Sequence, residues 1–160
     1  MSDSAVIRQA LGSETDDCVD LWVRACAARD GRRVEGVGER AAAKFERSVL
    51  WLVAEDSGRL VGFALATEPA SGAQTDPPDA AVLGLLAVSP HAQGDGLGRS
   101  LLRATVDGLA TRGYRQAVLH VLADNLAAVR LYESEGWRRR GDRFAHPLLQ
   151  RMSETYVTDL

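Results

Sequence analysis

The chain is expected to fold as a mixed α/β protein around one sheet, and three observations carry that expectation. Short runs rich in aliphatic and β-branched residues alternate with longer segments of helical apolar spacing, in the order βααβββαβαββ. One run, "AVLGLLAV" at 81–88, holds nothing but aliphatic residues and one glycine, the pattern of a strand covered on both faces. The length of 160 residues at 46% hydrophobic composition allows one domain, 1–160, with a substantial core, and nothing marks a second.

The elements follow in order. "AVIRQA" is a short β-prone run and reads as a first strand. Residues 13–30 read as a helix capped by Ser13 or Thr15, with Asp16 and Asp17 in its first turn and Cys18, Trp22, Ala25 and Cys26 as its apolar stripe. After the glycine-punctuated loop "DGRRVEGVG", "ERAAAKFERS" reads as a short second helix. "VLWLVAED" and "SGRLVGFALAT" read as strands around a tight turn at Asp56–Gly58. The segment "EPASGAQTDPPDA" is too rich in Pro, Gly, Ser and Asp for regular structure and is expected to be surface, the alternative being a mobile flap. Beyond "AVLGLLAV", Leu97, Leu101, Leu102, Thr105 and Leu109 recur at helical spacing. "YRQAVLHVLA" reads as a strand, "DNLAAVRLYESEG" as a capped helix, and "WRRRGDRF" with "LLQRMSETYV" as two antiparallel strands.

Composition excludes several classes. A formal charge of −3 and a pI near 5.6 argue against a nucleic-acid binder, which shows a basic face. Lys44 is the only lysine among otherwise arginine cations and reads as background. Cys18 and Cys26 lie eight residues apart in a helical pattern, or about 12 Å at 1.5 Å per residue. A disulfide needs less than about 7 Å, so both are expected as free buried thiols, consistent with a reducing, cytoplasmic setting. The opening "MSDSAVIRQ" lacks a cationic start and apolar core, so no signal peptide is expected, and no run is long enough to span a membrane. Three scattered histidines and two helix-spaced cysteines give no metal-ligand spacing.

The most informative stretch is "AVSPHAQGDGLGRSLLR", where an apolar strand runs through Gly94, Gly96 and Gly98 into a helix. A helix start presents unsatisfied backbone N–H groups and the positive end of the dipole, and glycines let the main chain approach a phosphate closely. The nucleotide P-loop needs G-x-x-x-x-G-K-[S/T], and no lysine is near. The dinucleotide fingerprint needs glycine at position 99, which is Arg99. What remains is Gln93-x-x-Gly96-x-Gly98 directly after "LLAVSP".

That motif resembles the pyrophosphate-binding [Q/R]-x-x-G-x-[G/A] motif of the GNAT superfamily of N-acetyltransferases. A second match lies in "DNLAAVRLYESEGW", where Asn125 and Tyr132 stand seven residues apart, about two turns, on one helix face. The resemblance runs over roughly residues 6–157 by element order, with the motifs confined to 83–99 and 114–137. It implies a mostly antiparallel mixed sheet with helices on both faces. It also implies acetyl-CoA as cosubstrate, no metal, and direct transfer of acetyl to an amine without an acyl-enzyme. By the same resemblance Leu86, Ala87 and Val88 at the strand end, and Gln93, Gly94, Asp95, Gly96, Leu97, Gly98, Arg99 and Ser100 in the loop and first helical turn, contact the cofactor. Asn125, Ala128 and Tyr132 contact it from the later helix, Asn125 also serving as helix cap and Tyr132 as general acid for the departing thiolate.

The sequence departs from the family in places. Many relatives carry a glutamate on the strand before the glycines; "AVLGLLAV" has no acid, and Asp79 lies outside it among prolines. The other family position for a base, five residues before the asparagine, is His120. Its apolar strand neighbours are expected to lower its pKa by desolvation, leaving a ring free to accept a proton; the alternative is a buried histidine with a satisfied ring. Asp95 is unfavourable beside a pyrophosphate unless it points to solvent, and Arg99 either touches a phosphate or is surface charge. His91 is expected at the surface, and His146 lies in the loop between the last strands. The resemblance places the acceptor at "AARDGRRVEGVGER" and "RGDRFAHP"; Arg29, Arg32 and Arg33, with Glu35 adding mixed charge, are expected to form a solvated loop, the alternative being recognition of a carboxylate or phosphate on the acceptor. The expected partners are a small-molecule or peptide amine and, by family habit, a second copy in a homodimer, with no nucleic acid and no membrane. Two other functions stay open: transfer of a longer acyl group, or a non-catalytic acyl-CoA-binding module.

Overall fold

A computed structural model describes residues 5–160. Residues 1–4, part of the opening in which no signal peptide is expected, lie outside the described residues. Seven strands form one sheet: β1 (Ala5–Gln9), β2 (Ser48–Asp56), β3 (Arg59–Thr67), β4 (Ala81–Val88), β5 (Gln116–Leu122), β6 (Arg138–Ala145) and β7 (Met152–Asp159). Their spatial order is β1-β2-β3-β4-β5-β7-β6. Every neighbouring pair is antiparallel except β4 and β5. Four α-helices cover it: α1 (Thr15–Asp30), α2 (Val37–Lys44), α3 (Leu97–Thr111) and α4 (Leu126–Ser134). The element order is the one the sequence implies.

Side-chain alternation along the strands sends successive residues to opposite faces. On one face Cys18 and Leu21 of α1 and Ala41 of α2 pack against Val53, Phe63, Leu65 and Leu85. On the other, Leu97, Leu101, Leu102 and Leu109 of α3 and Tyr132 of α4 pack against Leu50, Leu52, Leu83, Leu119 and Tyr156. The five α3 residues picked out by helical spacing are all buried. A third, small cluster of Ala80, Val82, Val118 and Val157 lies behind β5.

Several boundaries differ from expectation for physical reasons. Neither Ser13 nor Thr15 caps α1. A one-turn helix at Gly12–Glu14 precedes it, and the Glu14 carboxylate turns back to accept from the Leu11 N–H at 2.8 Å while Arg8 holds it. "LLQR" is not strand: Leu148 and Leu149 direct their N–H groups to the His146 ring, which makes a turn, and β7 begins at Met152. Both cysteines are free and buried, as expected.

The pairing of β4 with β5 determines where a ligand can enter. The two strands pair only at Ala81↔Ala117 and Val82↔Val118, and beyond that they part. Meanwhile β4 stays paired with β3 to its end, and β5 stays paired with β7. Gly84 is an extra residue in β4, since Leu65 faces Leu85 and Ala66 faces Leu83.

Candidate functional site

The parting of β4 and β5 leaves backbone groups without a ladder. Ser89 donates its N–H to Val61, so antiparallel alternation directs Ala87 and Leu85 toward β3, and Leu86 and Val88 toward β5. Ala123 and Leu160 bond across to β7 and Arg115 in the same way, so His120 and Leu122 direct their backbone toward β4. The N–H groups of Leu86 and Val88 and the carbonyls opposite therefore line a gap in the middle of the sheet.

The glycine loop lies at the mouth of this gap. Gly94 and Gly96 have φ of 94° and 80°, in the left-handed region, and a Cβ added at either would meet nothing within 4 Å. The bare backbone here serves conformation and outward access, not internal packing. Gly96 is the N-cap of α3, so the first α3 amides point out beside it. Gln93 Nε2 donates to the Val88 carbonyl at 3.2 Å and ties the loop to the strand end. Asp95 is exposed, directed to solvent as a nearby anion requires. Leu97 is buried, and a Cβ at Gly98 would make ordinary contacts with Val88 and Leu131 at 3.8 and 3.9 Å, so packing does not demand a glycine there. Arg99 is committed elsewhere: it donates to Ser134 Oγ at 2.9 Å and to Glu135, which also holds Arg103 at 2.7 Å. These bonds join α3 to α4, and the two guanidinium groups keep the Glu135 carboxyl below its ordinary range.

The helix α4 presents the second set. Asn125 Oδ1 accepts from the Ala128 N–H at 3.4 Å, the cap expected of it, which leaves its amide N–H₂ for another acceptor. Tyr132 is 8% exposed, with its ring 6.0 Å from that of Trp137. Burial pushes its phenol up to about 12, so it carries its proton at neutral pH. Tyr132 belongs to the core on the α3 side of the sheet, as Leu119 does. His120, one residue on, therefore faces the opposite side.

The surroundings of His120 are not the purely apolar ones expected. Its Nε2 lies 2.8 Å from Oδ1 of Asp76, and the Phe144 ring meets it edge-on at 5.5 Å between centroids. Asp76 sits in the 68–80 segment, which is thus neither plain surface nor a free flap: Asp76 is 8% exposed and Pro77 and Ala80 are buried with it.

Lys44, read as background, is the second residue sequence reasoning missed. Its Nζ donates to the Gly84 carbonyl at the β4 bulge at 3.2 Å, and burial lowers its pKa to about 8. His91 is exposed. His146 accepts from the Leu148 and Leu149 N–H groups on Nδ1, and burial lowers it to about 4, so its ring is neutral. The buried thiols are likewise held protonated by desolvation, Cys18 up to about 12, and supply no nucleophile. The described residues contain no cluster of metal-ligating side chains.

A cavity of about 370 Å³ lies between the end of α1 and the β6–β7 turn, lined by Arg29, Asp30, Arg32, Leu148, Leu149 and Arg151 among others. Asp30 accepts from both Arg29 and Arg151, and Arg151 also reaches Asp124 at the end of β5. Of the expected acceptor arginines, Arg29 and Arg32 line this cavity and Arg33 does not. A larger hollow of about 460 Å³ between α1 and α2 includes Arg33, but no residue of the glycine loop, the gap or α4 lines it.

The strand order and the placement of the helices are those of an acetyltransferase fold, and comparison with known proteins agrees. Residues 15–137 match the Acetyltransferase (GNAT) family, and the chain belongs to that family. A mycothiol acetyltransferase of Clavibacter sepedonicus is 37% identical over 137 residues, covering 81% of this chain and 42% of that protein. One from Thermobispora bispora is 42% identical over 89 residues, 56% of this chain and 30% of its own length. The chain thus spans less than half the length of these curated relatives. The ribosomal-protein-S18-alanine N-acetyltransferase of Escherichia coli superposes with a TM-score of 0.73 at 27% identity, over 98% of this chain and 92% of that one. A GNAT family acetyltransferase of Elizabethkingia anophelis with acetyl-CoA bound shares the fold at 14% identity and a TM-score of 0.73, over 99% of each chain.

Proposed function

We propose that this chain is an N-acetyltransferase that moves acetyl from acetyl-CoA to a primary amine by direct attack. The observation that carries it is the gap between β4 and β5 with a glycine loop of outward-facing amides at its mouth. Acetyl-CoA supplies an activated acyl group as a thioester. The N–H groups from Gly94 to Arg99 receive the pyrophosphate, the Ser100 N–H being taken by the Gly96 carbonyl at 3.1 Å. The Leu86 backbone and the Val88 N–H, which face the gap, receive the pantetheine arm as an added strand would be received, and Asn125 offers its amide to the same arm. A backbone N–H of this strand end then lies ready for the negative charge that develops on the carbonyl oxygen.

His120 acts from one side of the sheet and Tyr132 from the other. His120 takes a proton from the acceptor ammonium: an N–H bond of the amine breaks, one forms on the ring, and the freed electron pair attacks the carbonyl carbon. The carbon–sulfur bond breaks, the Tyr132 phenol gives its proton to the leaving thiolate, and the second proton that the nitrogen sheds on becoming an amide returns to the phenolate through solvent, while the His120 proton leaves to solvent. The acceptor enters between the α1–α2 connection and the β6–β7 turn, where Asp30, Arg29, Arg32 and Arg151 favour a zwitterionic or mixed-charge amine.

The test is release of free CoA thiol against a panel of amino sugars, amino acids, polyamines and N-terminal peptides, with acetyl-CoA and succinyl-CoA in parallel. Turnover with acetyl-CoA and one acceptor class is the expected result. Preference for succinyl-CoA would reassign the donor, and tight binding without turnover on any amine would leave a sensing module instead.

A further inference from the structure

We propose that Asp76 is the positioning residue for His120, making the β3–β4 connection part of the catalytic apparatus. The inference rests on the acetyltransferase reading above and specifies which ring nitrogen works in it. The Asp76 carboxylate is 2% exposed at its side chain, and its Oδ1 lies 2.8 Å from His120 Nε2. Its other oxygen, Oδ2, accepts from the Ala73 N–H at 2.9 Å, which fixes the plane of the group. A carboxylate only accepts, so Nε2 carries the proton and donates. Nδ1 is then the one ring nitrogen with a lone pair, and among the described residues it has no hydrogen-bond partner. A buried acid that fixes a histidine tautomer and faces the imidazolium formed on proton uptake is a known way of preparing a base.

The backbone is adapted to this pair. A Cβ on Gly72 would lie 2.4 Å from Asp76 Oδ2 and 3.2 Å from His120 Cε1. Gly72 is thus a place where only a missing side chain leaves room for the carboxylate and the ring together. The Phe144 ring also packs against the imidazole in a T-shaped contact, 5.5 Å between centroids. Thr155 is the cross-strand neighbour of His120 on β7, and β6 continues that row with Arg140.

The geometry also predicts what an amide would do at position 76. In Asp76→Asn the amide oxygen must take the place facing the Ala73 N–H, which turns the NH₂ toward His120. The NH₂ donates to Nε2 and drives the ring proton onto Nδ1, removing the lone pair the reaction uses.

Nitrogen-15 NMR of the histidine rings at alkaline pH, where imidazole is neutral, reads the tautomer directly in the intact chain. The expected result is Nε2–H at His120 in the unaltered protein and Nδ1–H in Asp76→Asn. Asp76→Asn should lower kcat on the order of 10²-fold while the KM for acetyl-CoA stays within about twofold. In a His120→Ala background it should cost nothing further, because the two residues act as one unit. Gly72→Ala provides a second, independent displacement of the carboxylate and should reproduce the kcat loss. An Nδ1–H tautomer in the unaltered protein overturns the proposal. So does an equal further loss on adding Asp76→Asn to His120→Ala, which would mark Asp76 as merely structural. Absence of acetyl-CoA binding in the unaltered protein would instead overturn the acetyltransferase reading, and the tautomer measurement separates the two failures because it needs no cofactor.

Discussion

Tyr132 shows what burial does to a phenol in the donor role proposed for it. A phenol raised to about 12 by desolvation holds its proton at physiological pH but is a weaker donor than a free one, so its transfer to the thiolate of a thiol at about 8.5 is uphill unless the phenolate is reprotonated as it forms. Proton transfer to a departing thiolate needs such a donor only as charge builds on sulfur. Removing the hydroxyl while keeping the ring leaves the packing against Trp137 in place. Tyr132→Phe is therefore expected to reduce kcat about 10- to 100-fold with little change in the KM for acetyl-CoA, measured by steady-state thiol release. A rise in KM with kcat unchanged would make the tyrosine a binding residue only.

At the scale of elements, strand β4 combines tight pairing on one edge with an open edge on the other. The bulge at Gly84 interrupts it, and the half-buried ammonium of Lys44 satisfies the freed carbonyl. Desolvation makes that ammonium costly. Its folded pKa, about 8, lies below the 10.5 of the free side chain, so between these values the unfolded chain binds the extra proton. Stability from this residue consequently rises with pH from about 8 to 10.5, by on the order of 3 kcal/mol at full effect. Lys44→Met should abolish that rise. The check is the difference between the two proteins in urea-denaturation free energy at pH 8 and pH 10, which also cancels the opposite contributions of the cysteines and tyrosines. Equal slopes for both proteins would show that the ammonium is well solvated.

At the scale of the molecule, the sheet is continuous along its edges but parts in the middle, with the helices α3 and α4 locked beside the opening by Glu135, Arg99 and Arg103. Most of this was legible in the sequence. The α3 stripe and the apolar β4 run are local periodicities, and local periodicity reports burial directly. The glycine loop and the Asn125–Tyr132 pair were legible because each lies within one or two turns of chain. Asp76 was not: it lies 44 residues from His120 in a segment without periodicity, and only the register of the fold brings it there. Lys44 reaches a carbonyl 40 residues away, and Arg99 finds Glu135 after 36. The single family position at His120 was visible, but its tautomer depends on a partner that sequence spacing does not specify.

Bare main-chain amides around Gly96 are proposed to grip the pyrophosphate of acetyl-CoA at the mouth of the β4–β5 gap. Isothermal titration calorimetry of acetyl-CoA into the unaltered protein and into Gly96→Val tests it most directly. At φ 80° a β-branched residue is strained, and its side chain would project where no protein atom lies within 4 Å, into the space assigned to the phosphates. The expected result is one site per chain and a loss of affinity of 10-fold or more, about 1.4 kcal/mol, in the variant. Equal binding by both proteins, or no heat from the unaltered one, would contradict it.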